Sequence, residues 1–171
     1  MSSITKNQGE GQVIGQKGEL NGKGLTIGVV TARWNSGITS KLEAGAFATL
    51  KELRCDEIRA VSVPGAIEIP VAVKALLESG CHGVVALGCV IRGETTHYEY
   101  VCNSVERACT ELALATGKPI GHGVLTTENL EQAQERVGGR HGHKGAEAAE
   151  VTVEMVRLVQ AIRANQIHAK V

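Results

Sequence analysis

From about residue 25 onward, apolar residues in this chain follow two alternating rhythms. Short apolar-rich runs at Leu25–Val30, Ile58–Val63, Gly83–Ile91 and Pro119–Leu125 have the length and content of buried strands. The segments between them repeat their apolar positions at helical spacing. Residues Thr39–Leu53 predict a helix with Leu42, Ala46, Thr49, Leu50 and Leu53 on one face, and about Ala66–Ser79 a second with Ile69, Val73, Leu76 and Leu77 inward. Further helices are expected at about Thr96–Thr116, at about Asn129–Val137 before a Gly138–Gly139 break, and at about Lys144–Ala164. The inward face of that last helix reads as Ala148, Val151, Met155, Leu158, Val159 and Ile162.

Strands alternating with amphipathic helices predict an α/β fold, a three-layer αβα sandwich of the flavodoxin-like kind around a four-stranded parallel sheet. A single domain over residues 25–171 suits the length of 171 residues. Residues 1–24 mix Gly, Gln, Lys, Ser and Asn and read as a flexible N-terminal arm. Their one apolar patch, Gln12-Val13-Ile14, can add an edge strand to a sheet, including that of a neighbouring subunit.

Composition narrows the chemistry. Eighteen basic and eighteen acidic side chains cancel, so no overall field draws the protein to nucleic acid or an anionic membrane. Any anion must be held by a few placed residues. The five cysteines are odd in number, have no CxxC spacing and follow no secretion signal, which points to reduced thiols and a cytoplasmic location. No apolar run approaches the ~20 residues of a membrane span. Aromatic residues are confined to Trp34, Phe47, Tyr98 and Tyr100.

In open parallel sheets, ligands bind beyond the carboxyl ends of the strands. Four segments fall there, and each holds a residue that packing alone does not select. Thr96, with Glu99 three residues later, fits a capping box that makes His97 the first helical residue. The amides of Gly93, Glu94, Thr95 and Thr96 then face outward and attract an anion. A helix N-terminus disfavours an imidazolium, so His97 reads either as a proton-transfer group beside that anion or as a surface histidine after a capped turn.

Trp34 follows the first strand, where a flat ring suits stacking on a heteroaromatic ligand or stapling its own loop. Glu68 opens a helix after Pro64-Gly65, placed either for the helix dipole or for a polyol's hydroxyls. Arg136 reads as a cation closing a helix or as a guanidinium gripping a phosphate. Lys144 sits at the end of a helix that disfavours positive charge, which hints at an anionic partner. His97, His122, His141 and His143 match no common metal-ligand spacing, so no metal is expected. Residues Gly138–Gly145 are glycine-rich but lack the spacing of a phosphate-binding P-loop, and Cys89 reads as a packing residue inside a strand.

The segments ARWN (32–35), VPGAIEIP (63–70), LGCVIRGETTHYEYVCN (87–103), GVLTTENLEQAQER (123–136) and GHKG (142–145) together resemble the lumazine synthase family of riboflavin biosynthesis. The resemblance runs over about residues 20–165. It implies condensation of 5-amino-6-(D-ribitylamino)uracil with 3,4-dihydroxy-2-butanone 4-phosphate to 6,7-dimethyl-8-ribityllumazine, with loss of phosphate and water and without a cofactor. Trp34, where relatives often have phenylalanine, would stack on the pyrimidine. Asn35, Gly65, Ala66, Ile67 and Glu68 would line a ribityl pocket, and the backbone of Cys89, Val90 and Ile91 would meet the uracil's polar edge. Gly93, Glu94, Thr95 and Thr96 would hold the phosphate with Arg136, His97 would move protons, and Lys144 would support the uracil or pair with an acidic neighbour.

The family usually has phenylalanine where this chain has His122, in a wall supplied by the adjoining subunit. The resemblance further implies a homopentamer with active sites between subunits. The uninterrupted interval from Arg136 to Lys144 favours an icosahedral shell of twelve pentamers. Three other readings share these residues: a flavin-binding module that has lost catalysis, a purely structural cage, and the related archaeal riboflavin synthase.

Overall fold

Four of the apolar runs pair side by side, all in one direction, in the order β2-β1-β3-β4. The computed structural model describes residues 16–165, so the Gln12–Ile14 patch lies outside the described residues. The strands are β1 (Thr26–Ala32), β2 (Glu57–Val63), β3 (Gly83–Ile91) and β4 (Ile120–Thr127). Between and after them come α1 (Ser36–Glu52), α2 (Ile69–Glu78), α3 (His97–Thr116), α4 (Leu130–Gln134) and α5 (Lys144–Arg163). A single 3-10 turn at Ala66–Glu68 precedes α2, and Pro70 falls in the first turn of α2, where a missing N–H costs nothing.

Strand alternation divides the core into two clusters, one on each face of the sheet. Val85, Leu87 and Cys89 of β3 point toward α1 and α5, packing with Leu42, Ala46, Leu50, Ala149 and Val153. Val84 and Ala86 point the other way, into Ile69, Val73 and Leu77 of α2 and Val105 and Cys109 of α3. Both faces of β1 and β3 are therefore buried, which is why neither strand carries a charged residue. β2 lies at the sheet edge and is largely open, with Val61 39% exposed.

Three expectations are corrected. The inward face of α5 is Gly145, Ala148, Ala149, Thr152, Val153 and Val156, whereas Val151, Met155 and Ile162 are exposed. The reason is close packing: a side chain at Gly145 would put its Cβ 2.1 Å from the Leu42 carbonyl oxygen, so α5 meets α1 through its smallest residues. Hydrophobicity alone assigns the larger residues to the core and so selects the wrong stripe. The helix expected to Val137 ends at Gln134, and the glycine break is an antiparallel hairpin of β5 (Val137–Gly139) and β6 (Gly142–His143). Gly138 has φ 110°, which only glycine adopts readily, so a polar glycine-rich stretch hides a strand pair. Finally, α1 begins at Ser36, three residues earlier than its apolar period, because Asn35 takes a left-handed conformation that launches it.

The start of the described chain packs on the body of the fold. The Gly22 amide donates to the Leu53 carbonyl at 2.6 Å, and Arg157 of α5 donates to the carbonyls of Asn21, at 2.7 Å, and Lys23.

Gly145→Ala should destabilise the fold by roughly 1–3 kcal/mol through overpacking against α1, measured as a lower urea midpoint with an unchanged slope. An unaltered midpoint would show that the α1–α5 contact is slack.

Candidate active site

The strand ends are staggered, and the stagger makes the cleft. β1 pairs with β3 only as far as Thr31 opposite Leu87, while β3 runs on beside β4 to Ile91 opposite Thr127. The chain leaving β1 follows β2 instead, with the Arg33 amide on the Val63 carbonyl at 2.8 Å and the Trp34 amide on the Pro64 carbonyl at 3.1 Å. A wedge therefore opens between β1 and β3, where the connections diverge to opposite faces of the sheet. It holds a cleft of about 350 Å³.

Three segments line it. From the β1 end come Trp34 and Asn35; from the β2 end, Gly65, Ala66, Ile67 and Glu68; from β3 and the turn after it, Cys89, Val90, Ile91, Gly93, Thr95 and His97. Asn35 spans the wedge, its side-chain amide donating to the Cys89 carbonyl at 2.8 Å. The Trp34 ring lies over Gly65, where a Cβ would come within 3.1 Å of the indole, and remains 69% exposed. Glu68 folds back so that one carboxylate oxygen accepts from the Gly65 amide at 2.9 Å. Burial pushes the Cys89 thiol up to about 11, which suits a packing role and not a nucleophile.

The capping box expected at the start of α3 is absent. Thr96 has helical angles and no side-chain cap, and the Glu99 carboxylate pairs with Arg92 instead. Arg92 also donates from Nε to Glu128 at 2.7 Å and lies 4.2 Å from the centre of the Tyr98 ring. The His97 amide donates instead to Thr95 Oγ1 at 3.4 Å. Pairing with Arg92 is the leading cause of the low Glu99 pKa, with the residue's own amide adding to it.

Five expected residues do not line this cleft within one chain: Glu94, Thr96, His122, Arg136 and Lys144. Arg136 lies in a separate depression with Glu131, Glu135 and Arg140, and its guanidinium donates to the Gln132 carbonyl at 2.7 Å. Lys144 Nζ is 2.6 Å from Glu147, so the charge at the unfavourable helix end is neutralised from within the first turn. His122 sits midway along β4, opposite Ala86. Conversely, Ala32, Tyr98 and Val101 line the cleft without having been singled out. Tyr98 carried a signal, being one of two tyrosines directly after His97; Ala32 and Val101 read as ordinary core.

A concave site at the divergence point of a parallel sheet, with an imidazole and helix-start amides on one side and an indole and carboxylate on the other, defines an α/β enzyme for a small polar substrate. The model of the 6,7-dimethyl-8-ribityllumazine synthase family matches residues 24–160, and the chain belongs to that family. A protein of Bdellovibrio bacteriovorus named 6,7-dimethyl-8-ribityllumazine synthase is 62% identical over 140 residues, which is 82% of this chain and 78% of that protein.

His122 makes one aspect of the region titratable. Desolvation against the sheet lowers its pKa, opposed by the negative charge of Glu106 on α3. The unfolded chain then binds this proton more readily than the native one, so the contribution is present above about pH 6.5, the ordinary histidine value, and is lost as pH falls toward the lower folded value. Thermal melts at pH 7.5 and 5.5 should accordingly show a smaller acid-side loss for His122→Phe than for the parent. Equal losses would mean that this ring contributes nothing to the pH dependence.

Proposed function

We infer that the cleft between β1 and β3 is where the two reactants of the lumazine synthase reaction meet, with each wall specialised for one of them. The reaction is the condensation of 5-amino-6-(D-ribitylamino)uracil with 3,4-dihydroxy-2-butanone 4-phosphate to 6,7-dimethyl-8-ribityllumazine in riboflavin biosynthesis, a transferase activity. The observation that carries the assignment of walls is that Trp34 and Glu68 lie on one side of the cleft and Gly93, Thr95 and His97 on the other.

The pyrimidine stacks on the exposed face of Trp34, and its polar edge meets the backbone of Cys89, Val90 and Ile91 on the side where β3 has run past β1. The ribityl chain runs along Asn35 and Gly65–Glu68, and the Glu68 carboxylate accepts from its hydroxyls. The butanone's phosphate sits on the outward amides and hydroxyls of residues 93–96, an arrangement favoured by the positive end of α3. That placement leaves the ketone beside His97. The imidazole there takes and returns protons as the amine adds to the carbonyl, as the resulting carbinolamine loses water to form the Schiff base and as phosphate departs. Much of the remaining acceleration comes from holding two small molecules in register, since orientation can supply about 7–11 kcal/mol of a barrier.

Arg136, Lys144 and His122 fit this scheme as groups offered across a subunit boundary. Their positions away from the cleft of their own chain support a homopentamer with sites between adjacent subunits. The exposed apolar residues Leu114, Val151, Met155 and Ile162, together with the open edge of β2, supply surface for such contacts. The short β5–β6 hairpin between Arg136 and Lys144 supports assembly of pentamers into an icosahedral shell. Among the described residues no helix is long and apolar enough to cross a membrane, and we place the enzyme in the cytoplasm.

Mixing the two substrates and following lumazine absorbance tests the assignment of groups. His97→Ala and Arg136→Ala should each lower kcat/KM by about two orders of magnitude, the scale of a lost proton-transfer group, whereas His122→Phe should retain turnover. Full activity in His97→Ala would remove the proton-transfer role, and a hundredfold fall in His122→Phe would show that its ring nitrogen matters. Light scattering on the eluting protein should give the mass of an icosahedral shell; a mass of about five chains would refute the shell.

A further inference from the structure

Arg92 has no place in the scheme above, yet its bonds reach groups on both sides of the turn at residues 93–97. Its own amide donates to the Thr127 carbonyl at 2.9 Å, which locks the end of β3 to the end of β4. Its guanidinium then reaches in two directions, to Glu99 in the first turn of α3 and to Glu128 just past β4. The face of the guanidinium lies over Tyr98, a residue of the cleft wall. Three points that flank residues 93–97 are thus tied to one side chain.

Glu99 is the partner with a competing use. It is the third residue of α3, the position from which a glutamate swings back onto the amides before a helix when the cap residue is threonine. Thr96 and Glu99 have the sequence for this, and the structure does not form it. We propose that Arg92 is a positioning residue that keeps the Glu99 carboxylate off the amides preceding α3, so that the Gly93–Thr96 amides stay open for the substrate phosphate and are not covered by an internal anion. The inference rests on the reading of residues 93–97 as the phosphate seat. Glu128 is the natural control, because Arg92 holds it equally but it lies outside α3.

Inorganic phosphate is the probe, titrated calorimetrically into the assembled protein and used as a competitive inhibitor against the butanone phosphate. Arg92→Met should weaken phosphate roughly tenfold, at the upper end of charge effects at a helix terminus, and raise KM for the butanone phosphate by a similar factor. KM for the uracil diamine should stay within about twofold, a split that general loosening of the fold would not produce. Glu99→Gln alone should change phosphate affinity little. Added to Arg92→Met, it should restore most of the loss, and Glu128→Gln in the same background should not. That non-additivity separates a competing carboxylate from a simple change of local charge. Arg92→Gln, which keeps a hydrogen-bonding side chain, carries the same cycle if the methionine variant fails to assemble.

Equal rescue by Glu99→Gln and Glu128→Gln, or strictly additive effects, would overturn the proposal, as would unchanged phosphate binding in both Arg92 variants. If the parent protein binds phosphate without competition against the butanone phosphate, the seat itself is misplaced, and that failure is distinct from a fault in the role of Arg92.

Discussion

The length mismatch between β1 and β3 governs what this molecule can do. Both strands run through the centre of the sheet and are buried on both faces, so their shared segment is held rigidly by packing from two sides. Past Leu87 that partnership stops, and β3 continues with β4 alone. A backbone edge without a neighbouring strand must be satisfied by something else. Here the Asn35 side chain meets one carbonyl, and the rest of the edge faces the cleft. The site is therefore a product of where hydrogen bonding between two core strands ends, and its walls inherit the stiffness of the sheet.

Charge is used locally throughout. The chain has no net charge, and several cations are matched by nearby carboxylates: Arg92 by Glu99 and Glu128, Lys144 by Glu147, Arg140 by Glu135. The turn after β3 is different in kind: as the phosphate seat proposed above, it would attract an anion through the dipoles of backbone amides at a helix start. Such a seat is weak at long range and selective at short range. It suits an enzyme whose reaction ends by expelling the same anion, because a phosphate held too tightly would not leave.

Several residues were legible because local chemistry forces them. Gly65 and Glu68 follow a proline at a strand end, His97 opens a helix, and Trp34 is an indole in a loop after a buried strand; all four meet in the cleft. Others misled for identifiable reasons. Thr96 and Glu99 are a good capping pair in isolation, but in the fold the Glu99 carboxylate pairs with Arg92 at the end of β3. Arg136 is a different case: its guanidinium donates to the Gln132 carbonyl, apart from the cleft of its own chain, which is the placement proposed above for a group offered to a neighbour.

Strand and helix periods, the parallel arrangement and the residues suited to each strand end are properties of neighbouring positions, and the amino-acid sequence determined them by itself. Which face of α5 turns inward, whether a glycine-rich stretch bends or pairs, and which carboxylate Arg92 captures depend on contacts between residues far apart in the chain. Those were decided only in the tertiary structure, because close approach and ion pairing are settled by distances of a few ångströms that periodicity does not encode.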